Sequence, residues 1–240
     1  MVHNAPLSVP PRRTRRIVFL SLAVLGVASA LFVFRGMLFM AAPRCVAGRW
    51  HGCWDTFNGV VLMTLVTLPL ALLVVWVLAR LRRAAGATSA WRRSVAEVGM
   101  VHGTVPFLWL TMMPGGGAGV VPARVSLVPL RDLVTMGTLG IVGNLLVFAS
   151  LGFFAPIRFA VLASLPRILA LGAGCSLLVE TAQYVLDLDR VSSVDDVLVN
   201  AVGAVLAALA SRRWWCTREE APSDRPHPEP EPEPVSVPAG

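Results

Sequence analysis

Apolar residues in this chain come in long runs. These cover about Ile17 to Met40, Phe57 to Ala79, Ala96 to Met113, Thr138 to Ile157, Ile168 to Leu186 and Val194 to Ser211. A hydrocarbon core about 30 Å thick needs roughly 20 apolar residues per crossing helix. The pattern therefore predicts an all-α membrane protein, a polytopic bundle of about six transmembrane helices. The third run is the weakest, because Glu97, His102 and Pro106 interrupt it. Pro69 stands in the middle of the second, where a membrane helix tolerates it as a kink. The first run is too long for a signal-peptide core, and no small-residue cleavage site follows, so it is expected to stay as a span.

The last two runs carry polar stripes. On the fifth, Ala173, Ser176, Glu180, Gln183 and Asp187 fall on one helical face. On the sixth, Asp196, Asn200, Gly203, Ala207 and Ser211 do the same. Two stripes of small and polar residues on consecutive helices predict that the helices pack together. Ser192 or Ser193 is placed to cap the sixth helix, with Asp195 and Asp196 in its first turn. Gly137, Gly140 and Gly143 predict a close helix approach near the fourth run. Pro114 to Gly119 breaks the chain before it.

Charge adds topology. The chain has 55% hydrophobic and 15% charged residues and a formal net charge of +7. Every basic residue is Arg, and the arginines cluster at the ends of apolar runs. That is the signal of membrane insertion, with positive flanks inside, and it outweighs a nucleic-acid reading. The expected organisation is a cytoplasmic basic segment 1–16, three helices in 17–113, an external loop and three helices in 114–211, and a cytoplasmic Pro/Glu tail 212–240. The tail is too polar and proline-rich to fold. Both termini are expected in the cytoplasm of a bacterial cell, with the spans in the plasma membrane. In the external loop 41–56, Cys45 and Cys53 form a disulfide or stay as two free thiols. Their spacing with His51 does not match a zinc site, and no metal or cofactor is predicted. His102 is a candidate proton carrier or a structurally satisfied histidine.

An ionisable side chain in or beside a span is costly and usually faces a cavity or a partner. The topology brings Arg124, Asn144, Glu180, Gln183, Arg190, Asp195, Asp196 and Asn200 to one outer depth. Arg124 and Arg131 run against the positive-inside expectation, so they need another role. Glu180 opposite Arg190 or Arg124 is expected to form a low-dielectric ion pair. Two readings follow. One is a polar clamp that fixes the last two helices. The other is a cavity open to the outside that binds a polar, charged ligand. An enzyme reading uses Glu180, Asp195 and Asp196 as acid and base or as ligands of a divalent ion, but no nucleophile with a neighbouring base is evident. A transporter is not favoured, since no inverted repeat is visible.

At these residues the sequence resembles the VanZ family. The matching segments are Arg124 to Pro129, Gly143 to Gly152, Ser176 to Gln183 and Arg190 to Gly203. The resemblance covers about Arg124 to Ser211; the first three spans match only as generic membrane helices. It implies an integral membrane protein of the bacterial envelope related to resistance to teicoplanin-type glycopeptides. Carried residue by residue, the shared polar pattern matches Arg124, Asn144, Glu180, Gln183, Arg190, Asp196, Asn200 and Gly203. The pair Ala149-Ser150 departs from it, where the family tends to have a proline. The partners implied are membrane lipids and an external lipoglycopeptide or cell-wall precursor, with the oligomeric state open.

Overall fold

The computed structural model describes isolated positions between residues 21 and 47, and residues 51–216 apart from 121 and 123. The expected first span lies largely outside the described residues. The segment 1–16 and the tail from residue 217 lie wholly outside them. Cys45 and Cys53 are joined as a disulfide, with Cα atoms 4.7 Å apart, which resolves that choice.

After a short helix, α1 (His51–Trp54), comes α2 (Phe57–Ala84). Thr56 caps α2 by accepting from Gly59 N at 3.0 Å. The helix runs through Pro69 and on past its apolar run to Arg82 and Arg83. Next is α3 (Ala90–Thr111), and then β1 (Arg124–Ser126) and a short α4 (Arg131–Thr135). The fourth run folds as two helices, α5 (Thr138–Val147) and α6 (Ala149–Arg158), which break at Phe148 without a proline. A 3₁₀ turn at Ala160–Leu162 leads to α7 (Leu165–Val185). Finally β2 (Val191–Ser193) runs straight into α8 (Val194–Trp215).

Four stretches are long and apolar enough to cross a membrane: Phe57–Ala84, Thr138–Arg158, Leu165–Val185 and Val194–Trp215. The third expected span, α3, is not one of them. It is a helix of adequate length, but Arg92, Arg93, Glu97 and His102 lower its hydropathy. Six spans are therefore not reached among the described residues. The helical class holds, with one small addition that was not expected. β1 and β2 form a two-stranded parallel sheet, with Arg124 opposite Val191, Val125 opposite Ser192 and Ser126 opposite Ser193.

Helix α8 is the axis of the bundle and packs against α5, α6 and α7. Its buried stripe is small: Ala201, Gly203, Ala204, Ala208 and Ser211. Gly203 lies against the backbone of α5, where a Cβ would collide with the Leu145 carbonyl. Gly152 of α6 lies in the same way against the Ala204 carbonyl. Small residues let backbones approach, and in lipid that packing replaces the hydrophobic driving force. The glycines expected to do this near the fourth run do not. Gly137 and Gly143 face open space, and Gly140 meets only Met136. The core around the α8 stripe is Val147, Phe148, Ala155, Ile168, Ala204 and Ala208.

Candidate functional site

The small sheet joins the two halves of the polar end. Ser193, the last residue of β2, caps α8 by accepting from Asp195 N at 3.1 Å. Its hydroxyl also donates to Asp132 Oδ2 at 2.7 Å. Asp195 answers across the gap. Only 1% exposed, it accepts from Leu130 N at 2.6 Å, Asp132 N at 2.8 Å and Leu133 N at 3.0 Å. These are the free amides at the start of α4, so the carboxylate serves as its cap. Asp132 lies outside the spans. The Ser126 and Ser193 hydroxyls hold its carboxyl below the ordinary aspartate value. Of the two, only Ser193 meets hydrogen-bond geometry, and Ser126 Oγ is buried without a partner.

Gln183 and Arg190 serve the opposite kind of helix end. Gln183 Nε2 donates to Thr111 O at 2.7 Å. Arg190 donates to Met113 O at 3.1 Å from Nε and to Leu110 O at 3.3 Å from Nη2. These carbonyls close α3, where a cation is favoured by the helix dipole. The Pro-Gly-Gly-Gly loop adds a backbone tie. Gly115 N donates to Leu188 O at 2.8 Å and Gly117 N to Asp189 Oδ2 at 2.8 Å. Asp187 and Asp189 both sit at φ 53°, a left-handed turn that presents these acceptors.

The expected ion pair of Glu180 with Arg190 or Arg124 is not formed. The ion pairs among the described residues are both made by Glu97, with Arg82 and with Arg158. Arg190 is taken by backbone carbonyls, and Arg124 is exposed at the start of β1. Asp196 accepts from Asn144, which links α8 to α5. Asn200 donates to Ser176 at 2.8 Å, which links α8 to α7. Its Oδ1 is buried without a partner.

Glu180 is different. It is 7% exposed, and its Oε2 accepts from Ser193 N at 3.0 Å. Ser192 Oγ ties the same residue down by donating to the Glu180 carbonyl at 2.9 Å. Among the described residues, Oε1 accepts no hydrogen bond, and it is not one of the fully sealed unpartnered oxygens, so it opens onto its surroundings. The side chain lines a groove of about 290 Å³ between the sheet, α7 and α8. Val125, Leu127, Leu177, Val194 and Val197 make its aliphatic walls. Thr181, Ser192 and Ser193 add hydroxyls beside the carboxylate. Such a groove suits an apolar chain that ends in an N–H or O–H donor.

Of the eight residues expected at one site, Glu180 alone lines this groove, while Asn144, Gln183, Arg190, Asp195, Asp196 and Asn200 are engaged as caps and helix ties. Arg124 stands at the rim of the sheet. His102 is apart, half-buried in α3 between cavities of about 410 and 250 Å³ that it shares with Thr67 of α2. Asp132 and the Thr111 carbonyl were not foreseen. The acid at the start of α4 was a legible signal for Asp132; nothing in the sequence marks one carbonyl among many.

A protein-family profile described as VanZ/LLP1 matches residues 66–215, more than half of the chain. The chain belongs to the VanZ family. The match begins inside α2 and takes in α3, so VanZ membership extends beyond the segment from Arg124 onward. It spans the capped end of α3, the sheet and the groove together. No curated protein and no solved structure matches the chain.

Proposed function

We propose that this VanZ-family membrane protein belongs to the bacterial cell envelope and binds an amphiphilic ligand in the groove beside Glu180. The ligand is a lipoglycopeptide or a lipid-linked cell-wall precursor, and binding contributes to resistance to teicoplanin-type glycopeptides. The observation that carries the reading is the unpartnered Oε1 of a nearly buried glutamate at an aliphatic-walled groove. Oε1 opens onto the groove with no protein donor, so it is a free acceptor that a ligand N–H or O–H would satisfy. Both ligand classes join an apolar chain to a headgroup rich in such donors.

The arginines support an outward groove. Arg80, Arg82, Arg83, Arg92, Arg93, Arg158, Arg212 and Arg213 stand at helix ends away from Glu180, in α2, α3, α6 and α8. At the Glu180 end are Arg124, Arg131 and Arg190. In this proposal the positive-inside bias has the groove outside and both chain ends in the cytoplasm of a multi-pass plasma-membrane protein. The acid–base alternative has less support. Both Asp195 oxygens already accept backbone amides, and among the described residues no three His, Cys, Asp or Glu side chains are grouped to hold a metal ion.

Glu180→Gln tests the reading, because it keeps the volume and replaces one carboxylate acceptor oxygen with an amide donor. Cells expressing the variant at the native level should lose crosslinking of a photoreactive teicoplanin derivative and of a photoreactive undecaprenyl-linked precursor. Any gain in teicoplanin tolerance should fall to the level of cells without the gene. Unchanged crosslinking with both probes would refute the groove as the site.

A further inference from the structure

The end of the bundle remote from Glu180 holds a second cavity, of about 410 Å³, between α3, α6 and α8. Its walls are apolar: Val95 and Ala96 of α3 with Phe153, Phe154 and Ile157 of α6. Trp91 and Trp214 stand at its mouth, both more than one-third exposed. Arg92 reaches across from α3 to donate to the Trp214 carbonyl. Arg83 lies over the Trp91 ring at 5.5 Å, and Arg213 over the Trp214 ring at 4.2 Å. The Phe153 and Trp214 rings meet at 5.4 Å. Aromatic faces and guanidinium groups thus alternate around one opening.

Among the described residues, no carboxylate balances the charge at this opening. Glu97 is the acid of α3, and it is engaged by Arg82 and Arg158. Among the described residues, Arg83, Arg92 and Arg213 meet no carboxylate. A guanidinium forks onto phosphate oxygens, and basic pockets between membrane helices suit anionic headgroups. Trp rings at such a mouth sit at the headgroup level of a bilayer.

We propose that this cavity is a binding site for one anionic phospholipid. An acyl chain enters between Trp91 and Trp214 and lies on Val95, Phe153 and Ile157. The phosphate is held by Arg92, with Arg83 and Arg213 at the sides. The site is independent of the Glu180 groove, since it shares no residue with it and lies at the other end of α8.

Native mass spectrometry of the full chain, released from bilayers of equal phosphatidylglycerol and phosphatidylcholine, tests the proposal. The native chain should retain phosphatidylglycerol in clear excess. Arg92→Gln, and separately Arg83→Gln with Arg213→Gln, should lower that excess by roughly fivefold per arginine, the factor one arginine contributes near an anionic surface. The second variant removes arginines that donate no hydrogen bond to described residues, so it keeps the test open if Arg92→Gln misfolds. Val95→Trp, which fills the cavity but keeps every arginine, should also abolish retention. Equal retention of the two lipids by the native chain would overturn the site. So would undiminished phosphatidylglycerol retention by Val95→Trp, which would mean diffuse surface attraction only.

Discussion

The two ends of the bundle settle their charges in different ways. At the arginine-rich end, Glu97 meets Arg82 and Arg158 side chain to side chain. At the Glu180 end, acid and base avoid each other. Asp195 takes three backbone amides, and Arg190 takes two backbone carbonyls. The partners there are helix ends, which carry partial charges of their own. A charge paired with a helix end needs no oppositely charged residue nearby. Counting signs along a sequence therefore finds the first kind of pairing and misses the second.

Removing Asp195 strains this comparison most. Asp195→Ala leaves three amides at the start of α4 without their acceptor inside a nearly sealed site. Charge-assisted hydrogen bonds contribute about 1.5–3 kcal/mol, and a lost cap about 1 kcal/mol. Unfolding in detergent should show a loss of about 3 kcal/mol. Amide exchange should rise at Leu130, Asp132 and Leu133. Added salt should change the effect little, because the partners are backbone dipoles.

Glu97→Ala comes next. It leaves Arg82 and Arg158 facing each other without the carboxylate. Breaking a fully buried pair costs about 3–5 kcal/mol, but these side chains keep roughly a quarter of their exposure, so about 2 kcal/mol is expected. Here salt should matter. Adding Arg158→Gln to Glu97→Ala should recover part of the loss, which a double-mutant cycle would read. If Glu97→Ala proves as insensitive to salt as Asp195→Ala, the two ends do not differ in kind.

Arg190→Lys probes the cap on α3 more gently. An ammonium is a point charge and cannot fork to Leu110 O and Met113 O as a guanidinium does. A loss of about 1 kcal/mol is expected, with faster amide exchange in the Gly115–Gly119 loop that leans on the same turn. An Arg190→Lys protein as stable as the native one would mean the carbonyls are satisfied without the fork.

The same contrast explains what could be read from the chain. The long helices were legible because apolar length marks a span. A serine cap on α8 was legible as Ser192 or Ser193, because serines precede an acidic first turn, and the structure selects Ser193. Packing of α7 on α8 followed from the Ser176 and Asn200 stripes. The sheet was not legible, since strands of three residues, about 65 positions apart, leave no periodic trace. The ion pair expected for Glu180 failed because Arg190 found the end of α3 first. Where α3 ends was visible at Pro114, but which side chain would cap it depends on how the 187–190 turn folds back.

Asp132 gives the smallest and most discriminating test. Its carboxyl titrates lower in the folded protein than in the unfolded chain, so the ionised form favours the fold. That contribution is fully present above the unfolded value, near about 3.9, and is lost as pH falls through the folded value. Asp132→Asn should therefore slightly weaken amide protection around Leu130 to Met136 at pH 7. Native and variant should converge once the pH is taken below the folded value, where the native carboxyl is also neutral. A difference that persists there would mean that the effect comes from the shape of the side chain at this position, not from its charge. In that case the two carboxylates, Asp132 and Asp195, would have different roles: one an anchor whose charge does not matter, the other a charged cap.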